Sequence, residues 1–494
     1  METLKKAIES FLSNSTEPAV IEPGEPFIPL RRGCYAIEQR GERLTLQAWD
    51  EHRNLVRRIL RIEEQKRGQL TLTVEKFARR EGRIDLIDRA RPATRELQKK
   101  NARTIFRERL RLFLSREFAG WNVVELSSEA DLEQSLSPAF PRAFLRQGAR
   151  GWAAIGAGRE AEDPGASLAA GIIWLDYLRR REHRVAIEGL AIFVPHDRAR
   201  SLSLRIPFLD HSAARLVVFT YNNEDYAVRL DPADYGNVHT VLDPVRHPAG
   251  PNIRANDFTE FAKLPGFEAI GKPDGSTSLR VNGWEIARLT EPAAESRTSE
   301  LLELARGVAG IRCETSENPT NPLYRNRPEA WLESVVRANL PVIDPSLFAH
   351  PIYGQAPTFA AGDRAIMDLL ACDRRGRLAV IEIKAAADLQ LPLQALDYWL
   401  RVKWHLDRGE FASKGYFPGV ELRPDPPRLL LIAPALEFHP TTESILRYLS
   451  PEIEIERIGV SANWRKDLRI MFRVEGSSPP AHSTWRDPVT ELRA

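Results

Sequence analysis

The chain has 494 residues, 43% hydrophobic and 28% charged, enough for about three globular domains of roughly 150 residues. Lys and Arg number 70 against 68 Asp and Glu. A formal charge of +2 gives no chain-wide attraction for nucleic acid, so any such contact needs a local basic patch. The cysteines Cys34, Cys313 and Cys372 are far apart and form no C-x-x-C pair; this excludes a zinc ribbon or a disulfide framework and leads to the expectation of a reducing, cytoplasmic setting.

Residues 1–23 read as an amphipathic N-terminal helix and a linker ending in E-P-G-E-P. The opening M-E-T-L-K-K-A-I-E-S-F-L lacks the unbroken apolar core of a secretion signal, and no apolar run is long enough to span a bilayer, so no membrane partner is expected. Residues 24–94 alternate apolar and polar side chains in segments such as R-L-T-L-Q-A-W and Q-L-T-L-T-V-E-K-F, separated by short charged or glycine-bearing breaks. That pattern predicts a small antiparallel β-meander domain.

Residues 95–310 predict an α/β region with a β-rich extension. A basic helix over 95–118 leads to a strand at 121–126, a helical segment around 129–147 and a strand at 151–158. A helix at 167–181 and a strand at 188–195 follow. Further strands are expected at 202–209, 215–221, 225–230 and 277–289, then a helix at 297–307. Two basic patches, 109–116 and 178–184, are candidate nucleic-acid contacts; the plainer alternative is a solvated helix face neutralised by acidic neighbours.

The Asn- and Pro-rich loop S-E-N-P-T-N-P-L-Y-R-N-R-P leads into a domain over 322–475, followed by a tail, 476–494, expected to be disordered. This domain has a helix at 328–339, a hairpin and helix over 363–403 and an unbroken apolar run, L-L-L-I-A-P-A, that reads as a strand buried on both faces. A helix near 441–449 and two closing strands complete it.

The chemistry concentrates in D-R-A-I-M-D-L-L-A-C-D-R-R-G-R-L-A-V-I-E-I-K, residues 363–384. Arg374-Arg375-Gly376 fits a three-residue hairpin loop with Gly376 at the left-handed position. Closing it with Asp373 opposite Arg377 sets Asp368 opposite Glu382, and the period of two puts Lys384 on the same face. Ile381 and Ile383 then point the other way, into a core. Two acids that close repel each other, and Mg²⁺ resolves the conflict because hard divalent cations take carboxylate oxygens and water. Such an ion serves in-line hydrolysis of a phosphodiester, with Lys384 orienting the water or offsetting developing charge. Asp363 is an alternative to Asp368, and Glu329 to Glu333, one turn apart on the same helix face. His405 reads as structural or close to nucleic acid. No Ser-His-Asp or Cys-His arrangement and no G-x-x-x-x-G-K-[ST] phosphate loop is evident.

Asp368 followed by Glu382-Ile383-Lys384 resembles the D…(D/E)-x-K motif of the PD-(D/E)xK nuclease superfamily. The stretch is similar to its mismatch-specific and branched-DNA endonucleases, and Gln394 with Tyr398 resembles the Q-x-x-x-Y helix motif of RecB-type members. Met367 departs from the proline or small residue found at that point in many members. The resemblance covers about residues 325–436. It implies a restriction-endonuclease-like mixed sheet flanked by helices, so the expected class is α/β. It also implies Mg²⁺ or Mn²⁺ held by Asp368, Glu382 and the Ile383 carbonyl, with Glu333 assisting through water. Gln394 and Tyr398 would support the site or the DNA backbone. The function implied is a metal-dependent DNA endonuclease in repair or defence; the alternatives are a nucleic-acid-binding or scaffold protein with that fold, or a nuclease acting on RNA.

One internal match bears on the first α/β region. W-A-A-I-G-A-G, 152–158, can be laid on L-A-V-I-E-I-K, 378–384, and Leu175-Asp176-Tyr177 on Leu396-Asp397-Tyr398. Gly156 and Gly158 then stand where the later copy has Glu382 and Lys384, so the first copy would be degenerate and without catalytic chemistry. A chain with one cutting site needs a homodimer, or two visits, to break both strands of a duplex.

Overall fold

A strand with alternating apolar residues has one face to bury, and the segments before Asp88 bury theirs on a shared core that includes the N-terminal helix. The computed structural model describes residues 1–51, 53–76, 80–222, 226–231, 240–245, 255–271, 276–290, 295–354, 357–360, 363–366 and 368–477. It is a mixed α/β protein. Its contacts divide it into two units, Met1–Ala199 with Leu216–Leu230, and Arg200–Arg215 with Asp231–His482. Among the described residues no helix is long and apolar enough to cross a membrane. Met367 and the tail from residue 478 lie outside the described residues.

Unit 1 opens with α1 (Glu2–Ser13) and the strands β1 (Pro18–Ile21), β2 (Ile28–Pro29), β3 (Tyr35–Arg40), β4 (Arg43–Trp49), β5 (Asn54–Lys66), β6 (Gln69–Glu75) and β7 (Glu81–Asp88). They form an antiparallel sheet in the order β2-β1-β7-β6-β5-β4-β3. The first 23 residues are more than a helix and a linker. Ile8, Phe11 and Leu12 enter the core with Leu44, Leu70 and Leu72, and β1 pairs with β7 because Ala19, Val20 and Ile21 are apolar enough to be buried there.

The second layer of unit 1 comprises α2 (Arg95–Glu117), β8 (Asn122–Ser127), β9 (Arg142–Gln147), β10 (Arg150–Gly156), α3 (Ser167–Arg181), β11 (Ala186–Pro195), β12 (Arg215–Tyr221) and β13 (Ala227–Arg229). The helix expected around 129–147 is absent, and its last residues are β9. Pro138 and Pro141 interrupt a helical ladder, and Ala143, Phe144 and Leu145 are buried as a strand between β8 and β10. Phe106, Leu110 and Phe113 of α2 pack on this sheet.

Unit 2 begins with α4 (Arg200–Arg205), where a strand was expected over 202–209. L-S-L-R alternates, yet Ser203 and Arg205 are as buried as the leucines, and Arg205 makes a two-pronged contact with Asp397 at 2.9 and 2.7 Å. The pattern therefore reflects a tertiary ion pair and not a half-buried strand. Next come α5 (Ala255–Ala262) and a small sheet of β14 (Phe267–Gly271), β15 (Thr277–Val281) and β16 (Trp284–Leu289). The stretch 277–289 is thus a hairpin, turned at Asn282 and Gly283 with φ of 47° and 74°.

After α6 (Glu295–Ile311), α7 (Pro322–Arg325), α8 (Pro328–Ala338) and α9 (Leu340–Ile343) come the strands β17 (Tyr353–Gly354), β18 (Pro357–Ala360), β19 (Asp363–Ile366), β20 (Leu369–Cys372) and β21 (Leu378–Ile383). They are followed by α10 (Leu391–Asp407), α11 (Glu410–Ser413), β22 (Arg428–Pro434), α12 (Thr442–Leu446), β23 (Ile455–Val460) and β24 (Ile470–Glu475). The main sheet runs β17-β20-β21-β22-β23-β24. Trp331 and Leu332 of α8 pack on Ile381, Ile383, Leu430 and Ile432. Asp363 is not part of the hairpin; β19 pairs with β18 in a separate two-stranded sheet.

The two six-stranded sheets follow one path. In each, a helix precedes three strands joined as antiparallel neighbours, β8-β9-β10 and β17-β20-β21. A helix then crosses to a strand parallel to the last, α3 to β11 and α10 to β22. One more strand and an antiparallel edge strand complete both.

Candidate active site

The hairpin turn sets the site. Asp373 N donates to Arg377 O at 2.8 Å and Gly376 N to Asp373 O at 3.0 Å. Gly376 has φ +87°, and a Cβ there would lie 2.1 Å from Glu421 O, so only glycine fits. The resulting register pairs Cys372 with Leu378 and Leu369 with Ile381, which brings Asp368 to the level of Glu382. Asp368 Oδ2 accepts a hydrogen bond from Ile383 N at 2.8 Å, and the Ile383 side chain turns into the core.

Glu382 is 2% exposed. Burial, then the like charge of Asp368, pushes its carboxyl well above the usual range. Burial and then the Glu333 charge push Asp368 up to about 7. Lys384 Nζ lies 3.5 Å from Glu382 Oε1, 3.9 Å from Asp388 Oδ2 and 4.0 Å from Glu329 Oε2. Burial works against its charge, but Glu382, Glu329, Asp368 and Asp388 outweigh it and hold the ammonium above its ordinary range. Helix α10 lies against β21 and carries Tyr398, whose hydroxyl is raised by burial and then by Glu382 and Asp368. Gln394, one turn earlier, has a buried Oε1 with no donor among the described residues, and so does Glu382 Oε2.

Asp368, Glu382, Lys384 and Tyr398 therefore act on one another. Glu333 is buried on α8 and its charge bears on Asp368, but its carboxylate is paired with Arg337. Asp388 escaped the sequence reading; its signal was an acid four residues after the lysine. His405 is buried in a hydrogen-bonded chain the sequence does not reveal, 2.7 Å from Thr240 Oγ1 and 2.6 Å from Glu410 Oε2.

Among the described residues no group of three or more His, Cys, Asp or Glu side chains converges as a preformed metal cage. A hard divalent cation does not require one, because one or two carboxylates with water suffice. The donor set fits such an ion: two carboxylates made costly by burial and neighbouring acids, with one buried oxygen, Glu382 Oε2, lacking a donor among the described residues.

The equivalent strand end in unit 1 is built differently. Registers place Pro141 where unit 2 has Asp368, and Gly156 N donates to Pro141 O at 2.9 Å. A Cβ on Gly156 would lie 2.9 Å from the Phe106 ring, and one on Gly158 3.2 Å from it. The ring of Phe106, from the helix that precedes the sheet, fills the space that acid and lysine side chains would need. Comparison with family models, curated proteins and solved structures finds no match to this chain.

Proposed function

We propose that the chain is a divalent-metal-dependent phosphodiester hydrolase acting on DNA, with the sheet around β21 a nuclease domain of the PD-(D/E)xK kind and the second layer of unit 1 a diverged copy. One observation carries the reading: Asp368 and Glu382 face each other across paired strands beside Lys384, with Glu382 Oε2 buried and without a donor among the described residues. Mg²⁺ or Mn²⁺ held by the two carboxylates and the Ile383 carbonyl would polarise the scissile phosphate and acidify the attacking water.

The chain's own residues do the rest. The Asp368 bond to Ile383 N fixes one carboxylate against the other. Lys384, kept charged by its acidic neighbours, orients the nucleophilic water or offsets charge growing on the non-bridging phosphate oxygens. Tyr398 and Gln394 bound the site from α10 and offer polar groups to its rim. With one such site, a double-strand break requires a homodimer or two visits.

The pairing of Glu333 with Arg337 favours a second reading, in which the domain binds nucleic acid and cuts little. The test is cleavage of branched, mismatched, single-stranded and duplex DNA, and of RNA, in Mg²⁺ or Mn²⁺ by the wild type, Glu382→Ala and Lys384→Ala. Cleavage by the wild type alone supports the proposal. Equal cleavage by the variants refutes the site, and tight binding without cleavage by all three selects the second reading.

A further inference from the structure

Helix α2 carries eight Lys and Arg against three Glu. The part that composition singles out, 109–116, is largely engaged. Arg109 donates to Asn222 O at 2.9 Å and lies 5.1 Å from the Tyr221 ring centroid, and Arg111 pairs with Glu108 at 3.1 Å. The patch at 178–184 is neutralised in the same way, Arg180 by Asp176 at 3.3 Å and Arg181 by Glu125 at 2.9 Å. For these stretches the helix-face alternative holds.

The N-terminal half of α2 is different. Arg95 and Arg103 have no ion pair or side-chain hydrogen bond among the described residues, and Lys99 reaches only Glu162, at 3.0 Å. These three recur every fourth residue, so they form one row with steps of about 6 Å. That interval is comparable with the separation of successive phosphates along an extended nucleic-acid strand.

Two adjoining cavities open beside this row, on either side of Phe106. One, of about 430 Å³, is lined by Arg89, Arg95, Lys99, Arg109 and Arg159 against the single acid Glu160. Its walls include Phe27, Ile105 and Tyr221, and the Arg89 guanidinium lies 4.0 Å over the Phe27 ring with a buried Nε that has no acceptor among the described residues. The other, of about 360 Å³, reaches Gly158 at the strand end where the diverged copy has lost its acids; its lining sets Glu160, Glu162 and Asp163 against Lys99, Arg103 and Arg159, so the first cavity is the cationic one and the one offered to a nucleotide. Flat amphipathic walls with a cationic rim suit a base and its phosphate, in a volume of nucleotide size.

We propose that this face of unit 1 is a binding track for a single nucleic-acid strand. Arg95, Lys99 and Arg103 neutralise successive phosphates, and one nucleotide enters the cavity beside Phe106. The assignment rests on the nuclease reading for its substrate class and gives the holding of that substrate to the copy without chemistry.

The test uses the full chain carrying Glu382→Ala, in EDTA, with a fluorescein-labelled single-stranded DNA followed by anisotropy over a range of salt concentrations. Adding Arg95→Glu with Arg103→Glu should weaken binding about tenfold or more and lower the salt slope by about two. Arg95→Ala with Arg103→Ala, checked by circular dichroism, guards against misfolding and should give a smaller loss of the same sign. Affinity and slope within about twofold of the parent in both variants would overturn the track. So would displacement of the strand by ATP at concentrations where an unlabelled oligonucleotide does not compete. Hydrolysis of labelled branched, mismatched, single-stranded and duplex DNA in Mg²⁺ by the Glu382-intact protein reads the nuclease proposal separately. If that hydrolysis fails, the nuclease reading fails, while loss of strand binding in the arginine variants still supports the track.

Discussion

The two six-stranded sheets share a strand order and differ most at one strand end. At β21 the chain keeps Glu382 buried beside Asp368; burial and neighbouring acids raise both carboxyls, and Glu382 Oε2 has no donor among the described residues. At β10 the same level holds Gly156 and Pro141, and Phe106 closes the gap. Ile173, fully packed, occupies the helical position that aligns with Gln394. The filled strand end gains ring contacts, Phe106 lying 5.5 Å from Tyr221. The strand end at β21 carries like charge and a buried oxygen unpaired among the described residues, which destabilise a fold and are retained where something binds them. The contrast teaches that the architecture does not need the acids, so their presence at β21 calls for a functional explanation.

The widest expected gap between the two sheets is catalytic. Glu382→Ala or Lys384→Ala should lower Mg²⁺-dependent cleavage by about 10³-fold or more, roughly 4 kcal/mol in the barrier. Initial rates on labelled DNA check this, and variants within tenfold of wild type would break the comparison at its centre. The next effect is structural and belongs to unit 1. Phe106→Ala should cost about 3 kcal/mol, because it removes a buried ring from between Gly156, Gly158 and Tyr221. The unit 1 transition in chemical denaturation reports it, and a loss below about 1 kcal/mol would mean the ring is not a filler.

The third effect is a pH dependence in metal-free protein. Asp368 titrates near 3.8 when unfolded and at about 7 when folded. Between those values the folded state binds the extra proton, so stability falls as pH rises from about 4 to about 7. Asp368→Asn should shrink that fall, leaving the part that belongs to buried Glu382, and stabilise the metal-free protein at pH 8 by about 2 kcal/mol, while leaving it nearly unchanged at pH 4. Mg²⁺ should stabilise the wild type more at pH 8 than at pH 5 and have little effect on the variant. Thermal melts at the two pH values measure both, and a wild type more stable at pH 8 than at pH 5 without metal would contradict the facing carboxylates.

Where short-range rules set the geometry, the sequence was readable. Arg374-Arg375-Gly376 sufficed for the hairpin register, since the loop length and the left-handed glycine leave one closure, and the α3 limits 167–181 follow from composition. It misled where long-range partners decide. Arg205 is drawn into the interior by Asp397, 192 residues away, so the alternation at 202–209 imitates a strand. The residues of β9 look helical until β8 and β10 bury them on both edges. At the site, strand periodicity placed Asp368, Glu382 and Lys384, but the Glu333–Arg337 pair and the approach of Asp388 depend on side-chain directions that spacing leaves open. The basic stretches 109–116 of α2 and 178–184 at the end of α3 include arginines paired with acids that composition does not reveal, because it counts charges without their partners.

The smallest effect tests whether the unit 1 strand end is closed by fit or by chance. Gly156→Ala puts a methyl 2.9 Å from the Phe106 ring, closer than carbon atoms pack, and the ring is backed by Tyr221. The single substitution should cost about 1 kcal/mol through overpacking. In Phe106→Leu the ring is gone and the nearest remaining neighbour of the same methyl is Leu110 Cδ1 at 3.4 Å, so the double variant should be more stable than the sum of the single losses by about 1 kcal/mol. A double-mutant cycle in urea measures that coupling directly. A coupling near zero would mean that glycine at 156 answers to some constraint other than the ring, and the view of Phe106 as the replacement for lost catalytic side chains would fall with it.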